Sequence, residues 1–162
     1  MTMNSTSEAH LLFNAARKGD VASLKQLIAD GADLNIRDDR GFSPLVLASY
    51  DGHLEPTRLL LDAGASPNAQ DNGGNTALMG VSFKGYPDIA KLLIEHGAKL
   101  DTKGGNGLTA LMFATIFGRN DMIKLLLEHG ADASIKDVRG LTALDLAQQQ
   151  RNEVAIKLLK TP

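Results

Sequence analysis

The chain has no cysteine. Disulfides, thiolate catalysis and cysteine-held metals are therefore excluded, while either redox compartment stays open to it. Long apolar runs are also missing. Nothing approaches the roughly 20 residues that span a bilayer. Leu11-Leu12-Phe13, behind a polar start with no basic flank, is too short for a secretory h-region. A cytoplasmic protein with no membrane partner is the expectation. No sign of charge dominates: 17 basic and 19 acidic residues leave a net charge of −2, which provides no general field for nucleic acid or anionic lipid. Aromatic residues are few, two tyrosines and five phenylalanines. What remains, 162 residues of which 43% are hydrophobic, suits one compact unit with little room for a second domain.

The order within that composition is a 33-residue period. Gly-Ala falls at Gly31-Ala32, Gly64-Ala65, Gly97-Ala98 and Gly130-Ala131, and a second glycine at Gly41, Gly74, Gly107 and Gly140. Leu45, Leu78, Leu111 and Leu144 follow that glycine at a constant offset. Such a period marks a stack of small units rather than one globule. Residues 71–103 show the unit. Asp71-Asn72-Gly73-Gly74 is a turn, where glycine supplies backbone conformations that other residues resist. Thr76 then caps a short helix opening on Ala77-Leu78-Met79 and ending near Lys84-Gly85. Pro87 opens a second helix, where its missing N–H costs nothing. Ile89, Ala90, Leu92, Leu93 and Ile94 form its apolar stripe before Gly97 ends it.

These residues resemble the ankyrin repeat family. Its turn and Thr-Pro-Leu-His signature survive as Asp38-Asp39-Arg40-Gly41-Phe42-Ser43-Pro44-Leu45 and three relatives of it. The resemblance implies an all-α solenoid of helix-turn-helix units joined by hairpin-like loops. On that frame the chain is one domain, 1–162. Residues 1–37 form an N-terminal capping repeat without the leading turn, its helix started by a Ser5/Glu8 capping box. Repeats follow at 38–70, 71–103 and 104–136. Residues 137–162 form a C-terminal capping repeat, in which Arg151 replaces the inter-helix glycine. Departures from the signature carry expectations. Its histidine is Val46, Met79, Met112 and Asp145 here, so a stack held more by apolar contact is expected. Gly80 is a poor helix residue, about 1 kcal/mol worse than alanine. Phe113, one period on, is expected to fill the gap above it, so that Phe113→Ala costs about 3–5 kcal/mol. Lys103-Gly104-Gly105-Asn106-Gly107 reads as a widened turn replacing the aspartate of Asp38, Asp71 and Asp137.

Chemistry is hard to place on this frame. His96 and His129 share a frame position, but stacked helices lie about 8–10 Å apart, and ligands of one zinc must each lie about 2 Å from the ion. A histidine in the last turn of a helix is favoured by the dipole alone. The glycines at 104, 105 and 107 lack the Gly-Lys-Ser/Thr and the strand of a phosphate loop. Carboxylate pairs such as Asp38-Asp39 sit on turn tips, where nothing would desolvate them for acid–base work. No cofactor, no metal and no enzymatic activity are expected.

The resemblance implies docking on the concave side, formed by turn tips and the exposed face of each first helix. The residues this selects are Arg40, Phe42, Tyr50, Asn72, Asn75, Phe83, Lys84, Asn106, Leu108, Ile116, Phe117, Arg139 and Leu141. Tyr50, Phe83 and Ile116 share one frame position and should form a continuous stripe with Phe117 beside it, the usual anchors of an interface. Arg37, Arg40, Lys84, Lys103, Lys136 and Arg139 make this face basic against only Asp39 and Asp51, whereas Glu55, Glu95, Glu128 and Glu153 fall on the second helices. The expected partner is a protein with an acidic patch around an apolar knob. With no second domain to link, an inhibitor, immunity-type, sequestering or small adaptor role is expected of a chain monomeric when free. Nucleic-acid binding through the basic tips and homo-oligomerisation through the stripe are the alternatives.

Overall fold

The computed structural model describes residues 5–161 and contains ten helices and no strand among them. They come in pairs. The first members are α1 (Ser5–Lys18), α3 (Pro44–Tyr50), α5 (Ala77–Lys84), α7 (Ala110–Ile116) and α9 (Ala143–Gln149). The second members are α2 (Val21–Ala29), α4 (Leu54–Asp62), α6 (Pro87–Glu95), α8 (Asn120–Glu128) and α10 (Glu153–Lys160). The capping box proposed for α1 rests on the Ser5 side chain and lies outside the described residues.

Local chemistry sets the helix ends. Ser43, Thr76, Thr109 and Thr142 are extended N-caps whose hydroxyls accept the N–H of Val46, Met79, Met112 and Asp145, satisfying one of the donors that a helix start leaves unpaired. Asp145, at the lost histidine position, returns the favour, its Oδ2 accepting from Thr142 N at 2.9 Å and Thr142 Oγ1 at 3.0 Å. As the sequence indicates, α5 stops at Gly85 in a left-handed conformation and α6 opens on Pro87.

The layers pack on a continuous leucine core. Leu12, Leu45, Leu78 and Leu111 of the first helices and Leu27, Leu60, Leu93 and Leu126 of the second are buried. Small residues thin the first helices where they meet: Ala15, Ala48, Val81, Ala114 and Ala147 recur at one frame position, all buried. At the next position Ser49, Ser82 and Thr115 are buried with their hydroxyls donating to Val46 O, Leu78 O and Leu111 O of their own helices. Successive first helices therefore share more close contacts than successive second helices.

At the lost histidine positions Met79 and Met112 are buried in the core, the apolar contact the sequence leads one to expect. A polar ladder joins each unit to the next. Asn72 N donates to Arg40 O at 3.0 Å, Gly105 N to Gly73 O at 2.9 Å and Val138 N to Asn106 O at 3.3 Å, linking turn tip to turn tip. Lower down, Asn35, Asn68 and Asp101 side chains accept from the N–H of Ser66, Lys99 and Asp132 at 3.0, 2.8 and 2.9 Å. Side chains also reach back to helix ends: His53 Nε2 to Arg17 O at 2.8 Å, Arg119 Nε to Phe83 O at 3.0 Å and Gln150 Nε2 to Ile116 O at 2.6 Å. Each such bond contributes about 1 kcal/mol.

The turn at residue 104 is not widened. Gly104 N donates to Leu108 O and Gly107 N to Gly104 O, the same pair of bonds that Asp38, Asp71 and Asp137 make. What is lost is a clamp: Oδ1 of each aspartate accepts two further backbone N–H groups, as in Asp71 with Gly73 and Asn75. Glycine is used here for closeness. A Cβ on Gly105 would stand 2.6 Å from Gly73 O.

Arg151 alone among the described non-glycine residues has a positive φ, 55°. A side chain in that region costs about 1–2 kcal/mol. Arg151→Gly should therefore raise the unfolding free energy by about 1 kcal/mol in urea titration, and a loss of stability would contradict the assignment.

Candidate functional site: an aromatic ridge and groove on the first-helix layer

The predicted stripe forms, with one change of course. Tyr50 and Phe83 stack with ring centroids 6.1 Å apart and 13° between planes. Phe83 then meets Phe117 edge-on at 4.3 Å. Phe117, expected beside the stripe, supplies its third ring, while Ile116, at the frame position of Tyr50 and Phe83, is half-buried against the core with its carbonyl taken by Gln150. Aromatic pairs in these arrangements contribute about 0.5–1.5 kcal/mol beyond burial. Phe83 is half-buried between its neighbours, while Tyr50 and Phe117 keep 40% and 45% of their surface exposed. Two cations sit on the rings: Arg40 Cζ is 4.6 Å from the Phe42 centroid and Lys84 Nζ 4.9 Å from that of Tyr50, within cation–π range.

Beside the ridge lies an open groove of about 350 Å³ between α3, α5 and α7. Phe42, Val46, Tyr50, Met79, Phe83 and Phe113 supply its apolar walls. Arg40, Asp51, Asp71 and Asn75 also line it. The sequence expectation that Phe113 fills the space at Gly80 is not met. A Cβ built on Gly80 would have Tyr50 Cδ2 at 3.3 Å as its one neighbour within 4 Å outside its own helix backbone. The ring of the preceding unit closes one side, Phe113 stands as a half-buried wall, and the gap stays open.

The remaining predicted residues divide by what already holds them. Asn72 is exposed but donates from Nδ2 to Asp39 O at 2.8 Å, so it serves tip stacking. Arg139 is paired with the buried carboxylate of Asp137 at 3.0 Å, and backbone N–H donors, Leu141 first, hold that carboxyl below its ordinary pKa against the effect of burial. Leu108 and Leu141 are half-buried on the core. Asn106 is exposed. Val46 and Met79 of the groove were not singled out as surface positions, because in sequence they read only as substitutes for a histidine.

Basic residues are partly spent as well. Arg37 donates to Gly41 O at 3.2 Å and to Gln70 O. Arg40, Lys84, Lys103 and Lys136 take part in none of the salt bridges among the described residues. Glu55, Glu95, Glu128 and Glu153 are exposed on the second helices, each of which also carries an exposed cation, Lys25, Arg58, Lys91, Lys124 and Lys157 in turn.

His53, His96 and His129 are held by bonds within the stack. His96 Nδ1 faces Leu92 O at 3.0 Å and Nε2 faces Asp62 Oδ1 at 2.9 Å. Both partners only accept, so the imidazolium that donates to both is favoured; the carbonyl bond first, and then Asp62, raise its pKa above 6.5. His129 Nδ1 faces Leu125 O at 2.8 Å. No group of three or more metal-ligating side chains occurs among the described residues, and no helix there is long and apolar enough to cross a membrane.

Comparison with known proteins places this architecture. A family profile described as ankyrin repeats (3 copies) matches residues 12–103, and another described as ankyrin repeats (many copies) matches residues 93–147. The chain belongs to the ankyrin repeat family. It is similar to a curated Pseudomonas aeruginosa protein described as an ankyrin repeat protein, 41% identical over 59 residues, or 36% of this chain. That match spans 34% of the relative's own length, about a third. Ankyrin repeats are generally protein–protein interaction modules and typically non-catalytic.

Two outcomes test this geometry. Phe113→Ala, truncating a half-buried wall rather than a plug, should cost about 1–2 kcal/mol in urea unfolding, well short of a core deletion. For His96, the raised folded pKa means its contribution is fully present below about pH 6.5 and is lost as pH rises through the folded value. The stability difference between wild type and His96→Gln should therefore shrink from about pH 6 to pH 8. A constant difference would remove the charged pairing with Asp62.

Proposed function

We propose that this chain is a non-catalytic binding module that grips a partner protein with its first-helix face, the aromatic ridge supplying the anchors and the unpaired cations selecting a partner with an acidic patch around an apolar knob. The observation that carries this reading is the ridge itself: Tyr50, Phe83 and Phe117 in ring-to-ring contact, with the two outer rings exposed. Exposed aromatics in a row are the usual anchors on which an interface concentrates its binding energy. Their mutual contacts lower the entropy lost on binding, because the rings are already ordered. Arg40 and Lys84 beside them, neither engaged in a salt bridge among the described residues, can donate to a partner's carboxylates. A rigid stack that covers a partner's surface supports an inhibitor, sequestering or adaptor role in a chain that is monomeric when free. Binding of nucleic acid is disfavoured by the net charge of −2, which offers no general attraction for phosphates.

The test is affinity capture from lysate of the source cells, wild type beside Tyr50→Ser/Phe83→Ser/Phe117→Ser, with circular dichroism showing the variant folded. A protein held by the wild type and released at least about tenfold more readily by the variant is expected. Equal retention by both would move the site off this face.

A further inference from the structure

The groove exists because of one residue. In the four central and C-terminal units the frame position of Gly80 is otherwise Leu47, Phe113 and Leu146, and both leucines are buried. Only at Gly80 does the inner layer lack a side chain there, and the single atom near its missing Cβ belongs to Tyr50. Gly80 lies inside helix α5 with an ordinary helical backbone, so no turn geometry demands glycine. In a helix interior it costs about 1 kcal/mol against alanine. The space it leaves is apolar in its walls, with Val46, Met79, Tyr50, Phe83 and Phe113 around it. At about 350 Å³ it is at the small, open end of ligand pockets, the size of one or two side chains rather than an enclosed metabolite. Its rim is charged. Arg40 lies over Phe42 and Lys84 over Tyr50, and both of those rings are groove walls. Of the two rim carboxylates, Asp71 accepts from Gly73 and Asn75 N–H at 2.8 and 2.9 Å within its turn. Asp51 is exposed at the end of α3, so the rim carries two cations and two carboxylates, with Asp71 committed to its turn and the two cations placed over groove rings.

We infer that the groove at Gly80 receives one large apolar side chain of the partner, a leucine, methionine or phenylalanine flanked by carboxylates, with the rings and Met79 enclosing the apolar group and Arg40 and Lys84 pairing with the acids. This rests on the first-helix-face reading above and sharpens it from a ridge to a ridge and socket. The apolar group loses water-exposed area against four aromatic rings and a methionine, a polarisable wall that adapts to branched or flat side chains. The flanking carboxylates then find donors that are already positioned over ring faces. A lysine-flanked segment would meet like charge at both places, which makes the rim a discriminating element.

The socket can be tested with synthetic peptides of about eleven residues, in a Gly/Ser frame, observed by amide NMR of the labelled protein. The first carries one leucine between pairs of glutamates, the second alanine in place of that leucine, the third lysines in place of the glutamates. The leucine peptide should shift the Gly80 amide and its groove neighbours saturably at up to a few millimolar, with the alanine and lysine peptides at least about tenfold weaker. Gly80→Leu, which restores the side chain of Leu47 and Leu146, should weaken the leucine peptide by about tenfold or more while far-UV circular dichroism and melting are maintained. Gly80→Ala adds one methyl group against Tyr50 and gives a smaller loss in the same direction should the leucine not be accommodated. No saturable shift at Gly80, or undiminished binding by both variants, would overturn the socket. The partner captured in the preceding test separates the two readings: retained by Gly80→Leu but lost by the triple serine variant, it refutes the socket and leaves the ridge standing.

Discussion

The 33-residue register is the constraint on which everything else depends. Because each unit has the same length, the N–H of a turn tip arrives opposite the carbonyl of the tip before it, as at Asn72 with Arg40, Gly105 with Gly73 and Val138 with Asn106. The same spacing brings Ser66, Lys99 and Asp132 to the side chains of Asn35, Asn68 and Asp101. A unit of two short helices buries too little apolar surface to fold alone. Its neighbour completes both the leucine core and the polar ladder. One inserted residue would break both at once, since each bond tolerates only a few tenths of an ångström.

That register also builds the surface. Residues repeating every 33 positions become vertical neighbours, so three aromatics far apart in the chain end as one ridge. The buried alanines, serines and threonine of the first helices let those neighbours come close enough for ring contact. Cations then settle over the rings rather than into ion pairs. On the second-helix layer glutamates are exposed, and the Asp62–His96 and Asn120–Asn152 pairs are inter-unit ties. The two layers thus differ in aromatic content, the ring contacts lying on the first-helix side.

Legibility in the sequence follows the range of the interaction. Thr76, Gly85 and Pro87 act on bonds within a few residues of themselves, so their roles could be read directly. The leucine core was legible for the same reason, as periodicity decides which face is apolar. The filling of space around Gly80 was not. Whether Phe113 or Tyr50 approaches that glycine depends on a lateral shift between helices of about a bond length, and frame position alone cannot resolve it. The same holds for Phe117, and not Ile116 at the shared frame position, continuing the ridge. Polar ties such as His53 to Arg17 O and Arg119 to Phe83 O escaped notice because a side chain reaching 36 residues back leaves no local pattern.

The sequence by itself determined the unit, its length, its helix starts and stops, the buried leucines and the set of residues on each face. Those properties come from backbone conformational preference and from the side-chain period of a helix, both short-range. Only the tertiary structure decided which of the exposed residues touch one another, which cations are spent on carbonyls and which are free, and that the missing side chain at Gly80 leaves an open groove. These depend on how rigid layers settle against each other, where close packing converts small displacements into a contact or a gap.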